Sequence, residues 1–293
     1  MVKIALLGTG AMGTRIGQNF LTAQHSIVVY NRNADKLLPL VDMGAETAPT
    51  PKAAAAQADI VISMVTDDNA SQNIWLTPDT GAIHGLQAGA IALESSTLTV
   101  EWTKTLASKI EQRGAELLDA PVLGSRPQAE AKKLIYLVGG SAERFQQIEP
   151  LLLTTAARAL HLGSVGQGMT MKLAANALFG MQVAAMAEIL GFLSKQGMKP
   201  EEAMSCLAKL PIISPAAQAA AGLMMANQHA PLFPIDLVEK DLRYAIDAAQ
   251  KVNASVPTVT AIQAIYRRAI AQGHGADNIT GVAQLYWSGS ERG

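Results

Sequence analysis

The stretch Lys3-Ile-Ala-Leu-Leu-Gly-Thr-Gly-Ala-Met-Gly13 decides the fold. Its first five residues form an apolar run that predicts a buried strand, and a helical pattern follows over Thr14–Ala23. In a G-x-G-x-x-G turn the first glycine permits the bend, the second lets the backbone approach a pyrophosphate, and the third lets the helix pack on the strand. A turn without a ligand is the less favoured interpretation. The sequence therefore predicts a dinucleotide-binding turn formed by Gly8, Gly10, Ala11, Met12 and Gly13.

Short apolar runs alternate with helical stretches through the first half of the chain. Strands are predicted at Lys3–Leu7, Ile27–Tyr30, Ile60–Val65, Ala90–Leu93, Ala115–Leu118 and Ile135–Val138. Helices are predicted between them at Thr14–Ala23, Ala34–Met43, Pro51–Gln57 and Val100–Arg113. Strands that alternate with helices form βαβ units, whose strands are parallel and covered on both faces. We therefore expect an α/β fold of Rossmann type with a doubly wound parallel sheet.

The second half of the chain shows a helical pattern without strand signals. A long helix is predicted over Thr170–Gln196, with Gly197 as its terminating residue and Pro200 opening the next helix. Further prolines divide the remainder into shorter helices. The predicted organisation is an NADP-binding domain at 1–164 and an all-α domain for substrate binding and dimerisation at 165–293. A long interdomain helix joins the two.

Composition limits the classes of protein that the chain can represent. The 293 residues include 23 Lys and Arg against 24 Asp and Glu. Proteins that bind nucleic acids or anionic membranes usually carry a basic excess, so we expect neither partner. The single cysteine, Cys206, excludes an intrachain disulfide. Charges at Lys172 and Glu188 interrupt the most apolar long stretch, which argues against a membrane span. A cytoplasmic location is expected.

The end of the second predicted strand bears on the choice of cofactor. Sites that prefer NAD carry an acidic residue there, which accepts hydrogen bonds from the ribose 2′-hydroxyl. This chain has Asn31 and Arg32 instead. An arginine and an amide are suited to a 2′-phosphate, which an aspartate would repel. NADP(H) is therefore favoured over NAD(H), although Arg32 could also be an ordinary exposed arginine.

Lys172 is the residue most suited to chemistry. It follows the glycine-rich connector Gly163–Gly168 and lies four residues before Asn176, so the two side chains share one face of the long helix. That face is otherwise apolar. A lysine there could simply extend its ammonium to water. Because ligands bind beyond the carboxyl ends of the strands, where the connector is expected, a functional role is favoured.

At this point the chain resembles the β-hydroxyacid dehydrogenase family, which includes 3-hydroxyisobutyrate dehydrogenases and glyoxylate/succinic semialdehyde reductases. The resemblance covers essentially the whole chain and mildly favours the glyoxylate-reducing branch. It rests on the glycine turn, Ser96-Thr97, Asp119-Ala-Pro-Val-Leu-Gly124-Ser125, Gly166-Gln-Gly168 with Lys172 and Asn176, and Lys240-Asp241-Leu242. The order and spacing of these motifs are specific.

The resemblance implies a role for each matching residue. Lys172 would be the catalytic acid and base, and Asn176 would hold the lysine and the substrate. Thr97 would lie near the nicotinamide, Val65 and Thr66 would also bind the cofactor, and Lys240 would reach it. The implied substrate residues are Gly124, Ser125, Asn176, Phe233 and Asp241. The expected reaction interconverts a small aldehyde or oxo acid and its hydroxy acid with NADP(H).

The chain departs from the family pattern at three positions. Leu123 replaces a serine that is expected to hold the substrate carboxylate, so backbone N–H groups of residues 123–125 would have to serve alone. A less polar or bulkier carbonyl compound is therefore considered. Thr66 and Val100 each replace a usual proline, which changes loop rigidity rather than chemistry.

Two other functions remain open. Imine reductases share this architecture but usually lack a lysine at the position of Lys172, so the lysine favours carbonyl chemistry. A dinucleotide-sensing protein without turnover is disfavoured by the intact pair of Lys172 and Asn176. The five histidines show no metal-ligand spacing, so no metal is expected. The apolar long helix indicates self-association, and a homodimer or homotetramer is expected, although the helix alone does not fix the stoichiometry.

Overall fold

The computed structural model describes residues 2–287. Its backbone divides into two compact units, of which the first ends at Lys172 and the second begins at Leu173. The boundary expected from the sequence, between residues 164 and 165, lies earlier in the chain. Residues 1 and 288–293, where the predicted domains begin and end, lie outside the described residues.

The first unit is built on a six-stranded sheet in which every neighbouring pair is parallel. The strand order is β3-β2-β1-β4-β5-β6. The strands are β1 (Lys3–Leu7), β2 (Ser26–Tyr30), β3 (Glu46–Thr47), β4 (Ile60–Ser63), β5 (Ile91–Glu94) and β6 (Glu116–Asp119). The chain winds outward from β1 in both directions, which confirms the predicted doubly wound sheet and places the carboxyl ends of the strands along one edge.

Side-chain alternation along β1 supplies both cores of this unit. Ile4 and Leu6 belong to the apolar cluster on one face of the sheet, and Ala5 and Leu7 belong to the cluster on the other face. All four are completely buried. A strand that is covered on both faces must be apolar throughout, which explains the uninterrupted run at the start of the sequence.

Helices of the first unit cover the two faces of the sheet. They are α1 (Ala11–Thr22), α2 (Leu38–Val41), α3 (Pro51–Ala55), α4 (Asp68–Leu76), α5 (Val100–Glu111), α6 (Arg126–Glu130) and α7 (Ala142–Leu152). The single helix predicted over Ala34–Met43 is wrong. The structure has a 3-10 turn at Ala34–Leu37 followed by the one-turn α2, because Pro39 has no N–H to continue a helix.

A second, three-stranded sheet differs from the sequence-based expectation. The strand predicted at Ile135–Val138 is not part of the large sheet but becomes β8 (Leu134–Val138) of the small one. Its neighbours are β7 (Val122–Leu123), which is antiparallel to it, and β9 (Ala156–His161), which is parallel to it. The turn that contains Gly124 and Ser125 follows directly after β7 of the small sheet.

The second unit is helical, as predicted. Helix α8 (Gln167–Lys195) begins in the first unit, continues into the second, and matches the predicted long helix to within three residues at its start. The remaining helices are α9 (Pro200–Leu207), α10 (Pro215–Met225), α11 (Ile235–Lys251) and α12 (Pro257–Ala271), followed by a 3-10 turn at Ile279–Leu285. Proline opens three of these four helices, at the position where its missing N–H costs nothing.

Helix α8 is unusually apolar, with a mean hydropathy of 1.6 in its most apolar window. Its length and composition would allow it to cross a membrane, but the core helix of a globular protein can have the same length and composition. Exposed apolar side chains lie along it, including Leu178 and Phe192, which are 56% and 57% exposed.

Candidate active site

The glycine turn leaves the amino end of α1 open. Gly8 has a φ of +98°, and a Cβ there would overlap the carbonyl oxygen of Met64. A Cβ at Gly13 would overlap the carbonyl oxygen of Gly8, so the helix can approach the strand only with glycine at this position. By contrast, nothing lies within 4 Å of a Cβ built on Gly10. The second glycine of the motif therefore faces space that a ligand can fill.

The first turn of α1 fits the pyrophosphate of a dinucleotide. Gly10 caps the helix without a side chain to satisfy the first N–H groups, and no acidic residue occupies the first turn. The hydroxyl of Thr9 is buried and has no hydrogen-bond partner among the described residues. Unsatisfied N–H groups at a helix start bind anions, and the helix dipole favours negative charge there.

The turn after β2 carries an exposed arginine. Asn31 and Arg32 follow Tyr30 directly. The side chain of Asn33 caps the next turn, since its Oδ1 accepts a hydrogen bond of 3.0 Å from the N–H of Asp35. Arg32 is exposed and, within residues 2–287, makes no ion pair. Its guanidinium is available to a phosphate.

Loops after β4 and β5 are tied to each other. The N–H of Val65 donates to Oγ of Ser96 over 2.8 Å. Both the N–H and the hydroxyl of Thr99 donate to the carboxylate of Asp68, over 2.9 and 2.6 Å. The segment that contains Thr97 is thereby held against the segment that contains Val65 and Thr66.

The carboxylate of Glu94 connects the loop after β5 to α4 through hydrogen bonds, and this residue was not predicted from the sequence. The side chain is completely buried at the end of β5. Its Oε1 accepts the N–H of Ser96 over 3.1 Å, and its Oε2 accepts the hydroxyl of Ser71 over 2.8 Å and the indole N–H of Trp75 over 2.9 Å. Burial raises the pKa of Glu94 above its ordinary value, although its hydrogen bonds oppose this. The sequence signal that could have identified Glu94 is a carboxylate at the end of an apolar strand.

Asp119 is a second buried carboxylate, at the end of β6. Its Oδ1 accepts the N–H of Gly166 over 2.8 Å, and its Oδ2 accepts the N–H of Met169 over 2.7 Å. Burial raises its pKa, and the backbone hydrogen bonds act in the opposite direction. The carboxylate thus joins the edge of the sheet to the start of α8.

Lys172 lies in α8 and is only 8% exposed. It is the last residue of the first unit. Asn176 follows one helical turn later, in the second unit, and is also 8% exposed. Residues four apart in a helix lie on the same helix face.

In the second unit the amide of Asn176 is fixed by α11. Its Nδ2 donates to Oδ2 of Asp241 over 2.6 Å, and Nζ of Lys240 lies 3.0 Å from Oδ1 of the same carboxylate. Nζ also lies 4.9 Å from the centre of the Tyr244 ring. This oxygen has the ion-pair contact to Lys240 and no hydrogen-bond donor among the described residues. Because a carboxylate only accepts, Oδ1 of Asn176 must point away from Asp241.

The remaining predicted residues lie on turns. Gly124 has a φ of +113°, and Ser125 caps α6 in a reciprocal arrangement in which its N–H donates to Oε1 of Gln128 over 2.9 Å. That N–H is therefore already used within the chain and is not one of the groups at residues 123–125 that could serve a substrate. Phe233 is half-buried, and its N–H donates to Oδ1 of Asn278 over 3.0 Å.

The predicted residues fall into two groups, one in each unit. The first unit holds the glycine turn, Arg32, Thr97 and Lys172, and its six parallel strands bring their carboxyl ends to one edge. The second unit holds Asn176 and the adjacent pair Lys240 and Asp241. Among residues 2–287 no cluster of His, Cys, Asp or Glu could hold a metal ion.

Comparisons with known proteins agree with these features. A family model described as the NAD binding domain of 6-phosphogluconate dehydrogenase matches residues 3–173. A second, described as the NAD-binding domain of NADP-dependent 3-hydroxyisobutyrate dehydrogenase, matches residues 166–286. Together the two models span almost all of the chain.

Two curated relatives are similar along nearly their whole length. Glyoxylate/succinic semialdehyde reductase 2 of Arabidopsis thaliana is 29% identical, over 99% of this chain and 81% of its own. The uncharacterized oxidoreductase YfjR of Bacillus subtilis is 32% identical, over 94% and 96%. Among solved structures, 3-hydroxyisobutyrate dehydrogenase of Mycobacterium tuberculosis with L-serine has the same fold, with a TM-score of 0.90, 24% identity, and coverage of 98% of this chain and 100% of its own.

Proposed function

Because the chain belongs to the β-hydroxyacid dehydrogenase family, we propose that it interconverts a small aldehyde or oxo acid and its hydroxy acid with NADP(H). Lys172 is the general acid and base in this proposal. The observation that carries it is the buried amine of Lys172, one helical turn before an amide that Asp241 orients. A lysine buried on an apolar helix is costly unless its charge is paired or used in chemistry, so such positions are candidates for function.

The role of Lys172 follows from the charge that develops during reduction. A reduced nicotinamide, held at the glycine turn, would supply the hydride for the new C–H bond at the carbonyl carbon. The electron pair of the C=O π bond then moves to oxygen, and the ammonium of Lys172 donates a proton to that oxygen. In the oxidative direction the neutral amine takes the proton from the hydroxyl. Proton exchange with solvent restores the lysine.

Asn176 holds the reacting oxygen or the amine. Its Nδ2 donates to Asp241, and a hydroxyl or ammonium donor would be accepted by its Oδ1. Lys240 neutralises Asp241, so the carboxylate can orient the amide without placing an unpaired charge beside the substrate.

The turn after β2 supports NADP(H) rather than NAD(H). Arg32 is exposed, and no acidic side chain occupies the end of the strand. The guanidinium suits a 2′-phosphate, and the amide of Asn31 can donate to it. One of the two matching family models is also described as NADP-dependent.

Glyoxylate and succinic semialdehyde are the first substrates to consider, because a relative that is similar over 99% of this chain is named for them. The turn at residues 123–125 favours a substrate that depends less on a carboxylate contact there. The side chain of Leu123 has no hydrogen-bond donor, and the N–H of Ser125 already donates to Gln128. Imine reduction is the second candidate and is disfavoured by Lys172. A sensing role without turnover is disfavoured by the presence of both Lys172 and Asn176, whose amide donates to Asp241.

Self-association is part of the proposal. Leu178 and Phe192 lie fourteen residues apart on one face of α8 and are both more than half exposed. Apolar side chains of this size on one face usually meet a partner, and a second copy of the chain is the simplest one. Sedimentation velocity should show a homodimer or homotetramer, whereas a monomer at micromolar concentration would contradict this part.

The reaction is tested by following cofactor oxidation with a panel of carbonyl compounds. The panel contains glyoxylate, succinic semialdehyde, other 2-oxo acids, uncharged aldehydes and a cyclic imine, each with NADPH and NADH. The proposal predicts turnover of at least one aldehyde or oxo acid with NADPH. Turnover of the imine alone would establish the second candidate, and NADPH binding without any turnover would establish the sensing role.

A further inference from the structure

The carboxylate of Asp119 is buried without an ion-pair partner in the described part of the chain. Its charge is met by backbone N–H groups instead. Gly166 donates to Oδ1 and Met169 donates to Oδ2. An ionised carboxylate accepts such bonds more strongly than a neutral group does.

These donors form the start of α8. The first N–H groups of a helix have no partner within the helix, and a negative charge beside them is favoured by the helix dipole. Asp119 belongs to β6 of the large sheet and lies 47 residues before Gly166 and 50 before Met169. The first turn of α8 is therefore anchored to the sheet as well as to its own loop, where the N–H of Gln167 donates to the carbonyl oxygen of Ser164 over 3.1 Å.

Glycines make this close approach feasible. A Cβ on Gly139 would lie 2.5 Å from Oδ1 of Asp119, and a Cβ on Gly168 would lie 3.0 Å from Oδ2 and overlap the carbonyl oxygen of Leu137. The carboxylate thus occupies a recess that the backbone leaves open from two sides.

Lys172 follows Met169 by three residues within the same helix. A helix transmits a displacement of its first turn to the next turn, since its backbone hydrogen bonds fix the rise and rotation per residue. Asp119, Met169 and Lys172 all belong to the first unit. The anchor and the amine therefore belong to one compact body.

Met169 also reaches the loop that contains Thr97. Its Sδ accepts the N–H of Leu98 over 3.2 Å. Thr97 is the residue proposed to lie beside the nicotinamide. Met169, which Asp119 holds, therefore links two parts of the proposed site. One is the helix turn that carries the proton donor, and the other is the loop beside which the cofactor would present its hydride.

We infer that Asp119 is a positioning residue that fixes the amine of Lys172 relative to the loop at Thr97. The inference rests on the proposed function, since it assigns Asp119 an effect only through Lys172. Asp119→Asn replaces one acceptor oxygen by an NH₂ group, which then faces the N–H of either Gly166 or Met169. The first turn of α8 must shift, and the amine shifts with it.

The test combines Asp119→Asn, Lys172→Ala and the double variant of the full chain. A misplacement near 1 Å costs about 100-fold in rate, so Asp119→Asn should lower kcat by roughly that factor. The Kd for NADPH, measured by fluorescence, should stay within about twofold. In the Lys172→Ala background the same substitution should have no further effect, because the group that it positions is gone.

Two readouts separate positioning from general destabilisation. Amide hydrogen exchange without cofactor should rise in the peptide that covers residues 166–173 of Asp119→Asn. Thr50→Ala is the matched control, because it removes the cap of α3, where Oγ1 of Thr50 accepts the N–H of Ala53 over 3.1 Å. It should lower Tm without changing kcat or exchange at residues 166–173. Should Asp119→Asn not fold, Asp119→Ser is measured instead.

The outcomes are distinguishable. An equal loss of kcat in both backgrounds, or a single variant with kcat near that of the wild type, would overturn the positioning role and leave the proposed function intact. If Lys172→Ala itself keeps wild-type turnover, the proposed function fails and this inference fails with it.

Discussion

The amide of Asn176 donates a 2.6 Å hydrogen bond to the carboxylate of Asp241, which lies 65 residues later in the chain. Both side chains are buried, and Lys240 supplies the counter-charge on the other carboxylate oxygen. One orientation of the amide is therefore selected before any substrate binds. Such preorganisation is worth more than a flexible contact, because its cost is met during folding.

Asp241→Asn should weaken this arrangement. The new amide offers one acceptor, so either Asn176 or Lys240 loses its partner. Hydrogen bonds to charged groups contribute about 1.5–3 kcal/mol, and kcat/KM should fall about 10- to 100-fold. Glu239→Gln is the control, since Glu239 lies next to Lys240 in α11 but pairs with Gln263 and Arg267. Equal activity in the two variants would show that Asp241 does not orient the amide.

Gly10→Ala should separate cofactor binding from folding. The added methyl group meets no protein atom within 4 Å, so the free energy of unfolding should change by no more than about 0.5 kcal/mol. The Kd for NADPH should rise about tenfold or more, because the backbone can no longer approach the pyrophosphate. Gly222→Ala, where a Cβ also meets nothing, should leave the Kd unchanged. An unaltered Kd in Gly10→Ala would remove the pyrophosphate from this turn.

Arg32→Ala should change the choice of cofactor. Loss of a charge-assisted contact to the 2′-phosphate should weaken NADPH binding about 10- to 100-fold and leave NADH binding nearly unchanged. Isothermal titration with both cofactors measures the two effects. The exposed Arg113 provides the control, since Arg113→Ala should affect neither. A similar loss for NADPH and NADH would contradict the assignment of Arg32 to the phosphate.

The raised pKa of Glu94 should be visible in stability. The folded protein retains the proton to higher pH than the unfolded chain, which releases it near pH 4.3. Between these two pKa values the folded state binds more protons, so the contribution of Glu94 to stability falls as pH rises. Urea unfolding at several pH values from about 5 to 8 should show the wild type losing free energy of unfolding relative to Glu94→Gln. If the wild type instead gains free energy of unfolding relative to Glu94→Gln as the pH rises, the hydrogen bonds from the three donors outweigh the effect of burial on the pKa of Glu94.

Much of the fold could be predicted from local patterns. Lys3–Gly13 carries strand, turn and helix signals within eleven residues, and the bounds of α8 follow from a long apolar period that ends at Gly197. The strand β9 escaped prediction because Ala156–His161 combines residues of low strand propensity and is half exposed. The separate small sheet could not be foreseen, since two-residue strands such as Val122–Leu123 have no periodicity to detect.

The candidate site was predictable where the function lies in a motif. Lys172 and the glycine turn were identified from spacing and resemblance. The partners of Asp119, Glu94 and Asn176 could not be identified in this way, because each pairing depends on how distant segments pack. The hydrogen bond from Met169 to Asp119 joins residues 50 apart. Such contacts are properties of the folded chain and leave no local pattern.

The central claim is that the amine of Lys172 transfers the proton. Its most direct measurement is the single-turnover rate of NADPH-dependent reduction in Lys172→Ala, with Lys195→Ala as the control on the exposed end of the same helix. General acid catalysis contributes about 10²- to 10⁴-fold, so Lys172→Ala should lose at least about 100-fold in rate and keep the wild-type Kd for NADPH. Lys195→Ala should match the wild type in both. A rate in Lys172→Ala within a few fold of the wild type would contradict the account.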